Sequence, residues 1–155
     1  MVGSTSGRIP GIARLSPLTL NLPSLELIVA FNASVRHNDE WFDEADDLDR
    51  IVRILDNLQT AIDPIVAAAV ATSRITRAQA FTEGNKRTAL LVGRWILDRN
   101  DFDGGSMIPP DDFELANLLL DAARGADTDE KVVALFKFRR APIGPVGIEP
   151  TTEGL

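Results

Sequence analysis

The sequence has no cysteine, which excludes a disulfide framework and any thiolate metal site. Its single histidine, His37, excludes a multi-histidine metal centre and a histidine-paired nucleophile elsewhere in the chain. No run reaches the roughly 20 apolar residues of a membrane-spanning helix. Residues 1–20 also lack the apolar segment of a secretion signal. The expectation is a cytoplasmic protein without membrane contact. Basic residues are the scarcer charge, 16 Lys and Arg against 23 Asp and Glu, for a formal net charge of −7. General nucleic-acid binding wants a basic footprint, so it is not expected here. What is present, 155 residues with 45% hydrophobic and 25% charged content, suits one soluble globular domain with a real core.

Residues 1–21 carry Gly, Ser, Thr and Pro without sustained periodicity and read as a flexible arm, its end pinned by Leu18, Leu20 and Leu22. Pro23 suits the opening of a helix that runs to about Val35, with Leu25, Ile28, Val29 and Asn32 at helical spacing. The segment from Arg36 to Asp47 breaks that pattern and is rich in acids, and a small β-hairpin fits there. Asp46 or Asp47 caps the next helix, with Leu48, Ile51, Val52, Leu55 and Leu58 on one stripe. Asp63-Pro64 starts a third, alanine-rich helix that reaches Ala78. Arg74 and Arg77 near its end complement the helix dipole. A fourth helix, with Ala89 to Val92 and Trp95 to Leu97 apolar around most of its surface, reads as the buried centre of the core. After a turn at Asn100–Gly105, Pro109-Pro110-Asp111-Asp112 starts a helix with Leu115, Leu118, Leu119 and Ala122 inward, stopped by Gly125. Asp127 and Glu130 open a last helix that packs Val132, Val133, Leu135 and Phe136. No comparable strand pattern competes, so the expected fold class is all-α. Residues 22–140 form the helical domain. Residues 141–155 return to Pro and Gly and read as a disordered tail, whose last ten residues resemble a reading frame that runs on into a transfer-RNA gene.

The chain is organised around residues 79–89, which lie between the third and fourth helices. A helix start presents unpaired N–H groups and the positive end of the macrodipole, so it attracts anions. Gly84 permits a tight turn and close approach of a ligand, while Lys86 and Arg87 place full positive charge where phosphate oxygens would lie. Glu83 is the one carboxylate in this cationic stretch and suits magnesium beside phosphates. The same residues also fit an ordinary solvated helix start, and spacing alone does not separate the two. Six cations lie between Arg74 and Arg99 against Glu83 and Asp98, while eight acids lie between Asp39 and Asp56. That asymmetry would steer an anion toward the loop.

Phe81-x-Glu83-Gly84-Asn85-Lys86-Arg87-Thr88-Ala89 resembles the core motif of the Fic/Doc family, H-x-F-x-[DE]-G-N-[KG]-R, at every motif position but one. Lysine after the asparagine, followed by Thr-Ala, resembles the Doc branch more than the AMP-transferring Fic branch. The likeness extends loosely over residues 22–140. It implies a compact helical bundle around a central buried helix, with ATP or another nucleotide and Mg2+ as cofactors. It further implies transfer of a phosphoryl or nucleotidyl (AMP) group to a hydroxyl of a target protein, as by the toxin of a toxin–antitoxin pair. Carried onto this chain, Gly84, Asn85, Lys86 and Arg87 form the anion hole, Glu83 holds the metal and Phe81 anchors the loop. Arg87 is then the main stabiliser of charge developing on the transferred group. The segment 36–47 takes the place of a flap, with Trp41 and Phe42 as candidates for target contact or for covering the core edge. The family's inhibitory pattern, Ser/Thr-x-x-x-Glu-Gly/Asn, is not found, so regulation is expected from a separate antitoxin chain.

The one departure is Gln79, which stands where the family has its catalytic histidine. A general base needs a pKa near the working pH. A glutamine amide orients a hydroxyl but takes no proton. Three outcomes are open: transfer without that base, nucleotide binding without transfer, or replacement by another residue such as His37. A plain helical interaction domain whose motif is only a helix cap is the reading furthest from these.

Overall fold

Helix starts fall where a short polar side chain precedes an apolar stripe. The computed structural model describes residues 20–36 and 46–143, and among them the chain forms α1 (Leu25–Val35), α2 (Leu48–Leu58), α3 (Pro64–Ala78), α4 (Asn85–Arg99), α5 (Gly104–Met107), α6 (Phe113–Ala123) and α7 (Asp129–Phe138). No sheet forms among the described residues; an isolated antiparallel bridge joins Phe102 to Pro142. The all-α class is therefore the observed one. The expected hairpin, with His37, Trp41 and Phe42, lies almost wholly outside the described residues.

Caps set the boundaries. Ser24, not Pro23, opens α1, because its hydroxyl accepts from the Leu27 amide at 3.1 Å while proline brings no acceptor side chain. Asp63 accepts from the Ile65 amide at 2.9 Å and Pro64 occupies the first turn of α3. Asp112 caps α6 through the Leu115 amide at 3.1 Å. Gly125, at φ +102°, ends the α6 segment as its pattern predicts. The short α5 replaces part of the expected turn: Asp103 accepts from the Ser106 amide at 3.1 Å, and the Gly104 amide donates to Asp98 at 2.8 Å. Thr128 holds the cap position of α7 without a side-chain cap bond, and Asp127 before it accepts from the Asp129 amide at 3.1 Å.

The most enclosed helix is α3 rather than α4. It packs against α2, α4, α6 and α7, whereas α4 packs against α1, α3 and α5. Its buried face is made of Ala67, Ala68, Ala69, Ala71, Thr72 and Ser73, and small side chains let four neighbours approach at once. Gly93 marks the closest crossing: a Cβ there would lie 2.3 Å from Thr72 Oγ1. The buried hydroxyls of α3 are all bonded. Thr72 donates to the Ala68 carbonyl at 2.7 Å, Thr76 to the Thr72 carbonyl at 2.9 Å, and Ser73 to Asp129 at 2.8 Å. Burial of polar groups therefore costs little here. At the N-terminal side, Asn21 exchanges hydrogen bonds with Asn100 at 3.0 Å each way, and Leu20 and Leu22 lie on the core. Residues 141–143 stay paired with 101–103 through Asp103 N to Ala141 O at 2.7 Å and Ile143 N to Asp101 O at 2.9 Å. The chain is thus held three residues past the expected boundary at 140.

Candidate functional site

Six residues, Gln79 to Gly84, carry the chain from the end of α3 to the start of α4. Gln79 closes α3 in the left-handed region, at φ 50° and ψ 45°. A non-glycine residue there costs of order 1 kcal/mol or more and needs neighbours that impose it. The side chain supplies one: its amide donates to the Thr76 carbonyl at 2.7 Å. Gln79 is exposed, so its carboxamide stands at the surface of the loop.

Residues 81–83 bend, and the backbone of 80–82 is tied down residue by residue. The Asp47 amide donates to the Ala80 carbonyl at 2.7 Å, and Asp46 Oδ1 accepts from the Thr82 amide at 3.0 Å. Between them, Phe81 N donates to Asn85 Oδ1 at 3.0 Å, and Asn85 Nδ2 donates to Phe81 O at 2.9 Å. The ring of Phe81 is 3% exposed within the core, and burying a phenylalanine side chain contributes roughly 1.5–3 kcal/mol. The anchoring role expected of Phe81 fits this burial.

Gly84 then turns the chain into α4 with φ +79°, a conformation that favours glycine. Space enforces the same choice: a Cβ at Gly84 would meet Val35 Cγ2 at 3.0 Å and Asn32 Nδ2 at 3.1 Å. Asn32, 2% exposed, reaches from α1 to hold the turn, donating to the Glu83 carbonyl at 2.8 Å and to Thr88 Oγ1 at 3.1 Å. The N-cap position of α4 is Gly84, which has no side chain to cap the first turn. N–H groups at a helix start have no intrahelical partner, which makes this mouth a natural anion site.

Lys86 and Arg87 are exposed at the mouth. Lys86 borders a slot of about 190 Å3 with Leu90, Pro109, Pro110 and Phe113, and with the carboxylates of Asp111 and Asp112. Arg87 borders a second hollow with Val35, Leu90, Leu91 and Arg94. Asn85 stands between the loop and the core. Its side chain is 7% exposed and bound to Phe81, so what it offers a ligand is its main-chain N–H. Glu83 is half-buried beside this mouth. No group of three or more His, Cys, Asp or Glu able to hold a metal occurs among the described residues. A cation at Glu83 would therefore depend on ligand oxygens from a bound phosphate.

Among the described residues, several cations of the 74–99 stretch are engaged away from the loop. Arg74 pairs with Asp129 at 2.9 Å and Arg77 with Asp127 at 3.9 Å, both on the α7 side of α3. Arg94 donates to the Ile108 carbonyl at 2.8 Å, and Arg99 lies over Trp95 at 5.1 Å. Lys86 and Arg87 are the cations in the first turn of α4. The residues that sequence reasoning missed are Asn32 and Asp46. Each hydrogen-bonds the loop from a distant point of the chain, and neither belongs to a contiguous motif.

Fold and loop together define a class, an all-helical domain with an anion-receptive helix start behind a clamped loop. The Fic/DOC family model matches residues 26–97, from α1 to the end of α4, and this match supports membership of that family. No curated protein matches the chain. No helix among the described residues is long and apolar enough to cross a membrane.

Proposed function

We propose that this Fic/Doc-like chain binds a nucleoside triphosphate at the mouth of α4 and passes part of it to a hydroxyl of a target protein. The observation that carries the reading is the Gly84 turn, held open by Asn32 and Asn85. It presents helix-start N–H groups beside Lys86 and Arg87 without further rearrangement. Preformed donors of this kind act on charge as it develops and cost no reorganisation. The slot beside Lys86 has an apolar wall of Pro109, Pro110 and Phe113 with Asp111 and Asp112 at its side, a mixed lining that suits the nucleoside end of the ligand better than its phosphates.

In the transfer step the target hydroxyl oxygen bonds to phosphorus while a phosphoanhydride bond breaks. Attack on the γ-phosphorus expels ADP; attack on the α-phosphorus expels pyrophosphate. Arg87 and Lys86 balance the charge on the phosphoryl oxygens, and the hydroxyl proton leaves to solvent. Glu83 with the phosphates would hold Mg2+, whose chemistry is to neutralise phosphate charge. Gln79, at the position of the family's histidine, accepts a hydrogen bond from the hydroxyl but not its proton. A loose phosphoryl transition state depends more on positioning than on a base, so the expected transfer is slow. A separate antitoxin chain would then be the regulator.

Gln79 also favours a second reading, a silent nucleotide- or partner-binding module. Calorimetry with ATP and Mg2+, followed by mass spectrometry of a lysate incubated with labelled ATP, distinguishes them. Transfer by the wild type, increased by about tenfold or more in Gln79→His, supports the first reading. Binding with no transfer in either protein supports the second. No binding at all removes both.

A further inference from the structure

Asp46 lies ten residues from Arg36 in sequence and far from the loop, yet one oxygen of its carboxylate serves both. Asp46 Oδ1 pairs with Arg36 Nη2 and also accepts from the Thr82 amide at 3.0 Å. The Arg36 side chain is 13% exposed and that of Asp46 26%. Arg36 in turn sits 6.0 Å above the Phe81 ring. Its Nε is buried without a partner, as is the Thr82 hydroxyl. A guanidinium in this setting is not placed to maximise hydrogen bonding. Its position is set by the carboxylate on one side and the ring on the other.

The consequence is a chain of contacts from the C-terminal end of α1 to the loop. Arg36 follows α1 directly and Asp46 stands just before α2, so the ion pair closes the base of the segment between them. The same carboxylate then fixes the backbone of Thr82, two residues before the turn at Gly84. On the inner side Asn85 holds Phe81. On the outer side Asp46 is the side chain that holds its neighbour. Without it, the outer rail of residues 80–82 retains the main-chain bond from Asp47 to Ala80.

We infer that Asp46 is a positioning residue: by joining Arg36 to the Thr82 amide, it sets where the 82–84 backbone stands over the mouth of α4, and hence how well a polyphosphate is held there. The inference rests on the nucleotide-binding reading for its ligand, but the coupling itself is readable without any ligand. A site whose backbone must be ordered on binding loses affinity relative to a preorganised one, so a loosened rail should be felt in affinity.

The test uses the full chain with Asp46→Ala, Asp46→Asn and, as a control, Asp49→Ala, an exposed residue in the first turn of α2. Amide hydrogen exchange in the absence of nucleotide is read first. Thr82 should exchange at least about tenfold faster in Asp46→Ala, with the core amides of α3 unchanged. Asp46→Asn keeps an acceptor for Thr82 and should restore most of the protection. Calorimetry with ATP and Mg2+ is read second: Asp46→Ala should bind about tenfold more weakly, Asp46→Asn within about threefold of wild type, and Asp49→Ala as wild type. Unchanged Thr82 exchange in Asp46→Ala overturns the inference. So does faster exchange with undiminished affinity, and that outcome leaves the nucleotide-binding reading standing. A wild type that binds no nucleotide, with the exchange effect present, defeats the nucleotide-binding reading and the positioning role, and keeps only the mechanical link.

Discussion

Replacing Asn85 with alanine tests whether the loop is held from inside. Asn85 Oδ1 accepts from Phe81 N at 3.0 Å, and Nδ2 donates to Phe81 O at 2.9 Å and more weakly to Gln79 Oε1 at 3.4 Å. Each of the two good bonds contributes about 1 kcal/mol net, and a buried group left without a partner loses about 1–3 kcal/mol. Water entering the space of the missing amide would recover part of this. The expected loss is therefore about 2–4 kcal/mol, against a total stability of about 5–15 kcal/mol for a domain. For a chain of this size that lowers Tm by about 10 °C, measurable by circular dichroism. Asn85→Asp sharpens the comparison, since it keeps the acceptor for Phe81 N and loses the donor to Phe81 O. A carboxylate at a helix start is also favourable to the dipole, so stability should recover in part while affinity for an anionic ligand falls further. A loss under about 1 kcal/mol in Asn85→Ala, with Phe81 amide exchange unchanged, would refute the idea that this side chain clamps the loop.

Gly84→Ala should destabilise by about 1–3 kcal/mol, because alanine must adopt φ +79° while its Cβ presses on Val35 and Asn32; urea unfolding reads this, and a neutral result contradicts the required turn. Gly93→Ala should cost about 1–3 kcal/mol through overlap with Thr72 Oγ1, and adding Thr72→Ala should recover part of it in a double-mutant cycle. Simple additivity there would deny the crossing contact. The acid limb of the stability curve should depend on Asp112. Burial pushes its carboxyl up, but the Arg139 hydrogen bond, the Leu115 amide and the charges of Arg139 and Arg94 outweigh this and hold it below the ordinary 3.8. A depressed carboxyl stabilises the fold above its unfolded pKa, and that contribution fades as pH falls through the folded value. Asp112→Asn should therefore flatten the loss of stability below about pH 4; an unchanged slope in urea midpoints across that range would contradict the assignment.

The helices were legible because their causes are local. Asp63 before Pro64, Asp112 after two prolines and Gly125 past an apolar stripe each announce a boundary through groups a few residues apart. The motif from Phe81 to Arg87 was legible for the same reason, being contiguous. What the sequence could not show was the partners of that motif across the fold. Asn32 looks like one more residue on a helix stripe until α1 packs beside α4. Asp46 looks like a helix cap until its carboxylate is seen on Arg36 and Thr82. The role of the Asn85 side chain was hidden for a related reason, since an amide serves a ligand or a buried backbone equally well and only packing places it on Phe81. The ranking of α3 and α4 likewise depended on size rather than apolarity. Alanine and threonine gave α3 four close neighbours, whereas the larger residues of α4 leave Trp95 and Leu91 only half-buried.

The central claim is that the main-chain amides following Gly84 receive a polyphosphate. Titrating the labelled protein with ATP and Mg2+ while following amide resonances tests it directly. The account predicts saturable shifts concentrated at Asn85, Lys86 and Arg87, which weaken together in Arg87→Ala. Shifts confined to other helices, or a spectrum unmoved by millimolar nucleotide, would contradict it.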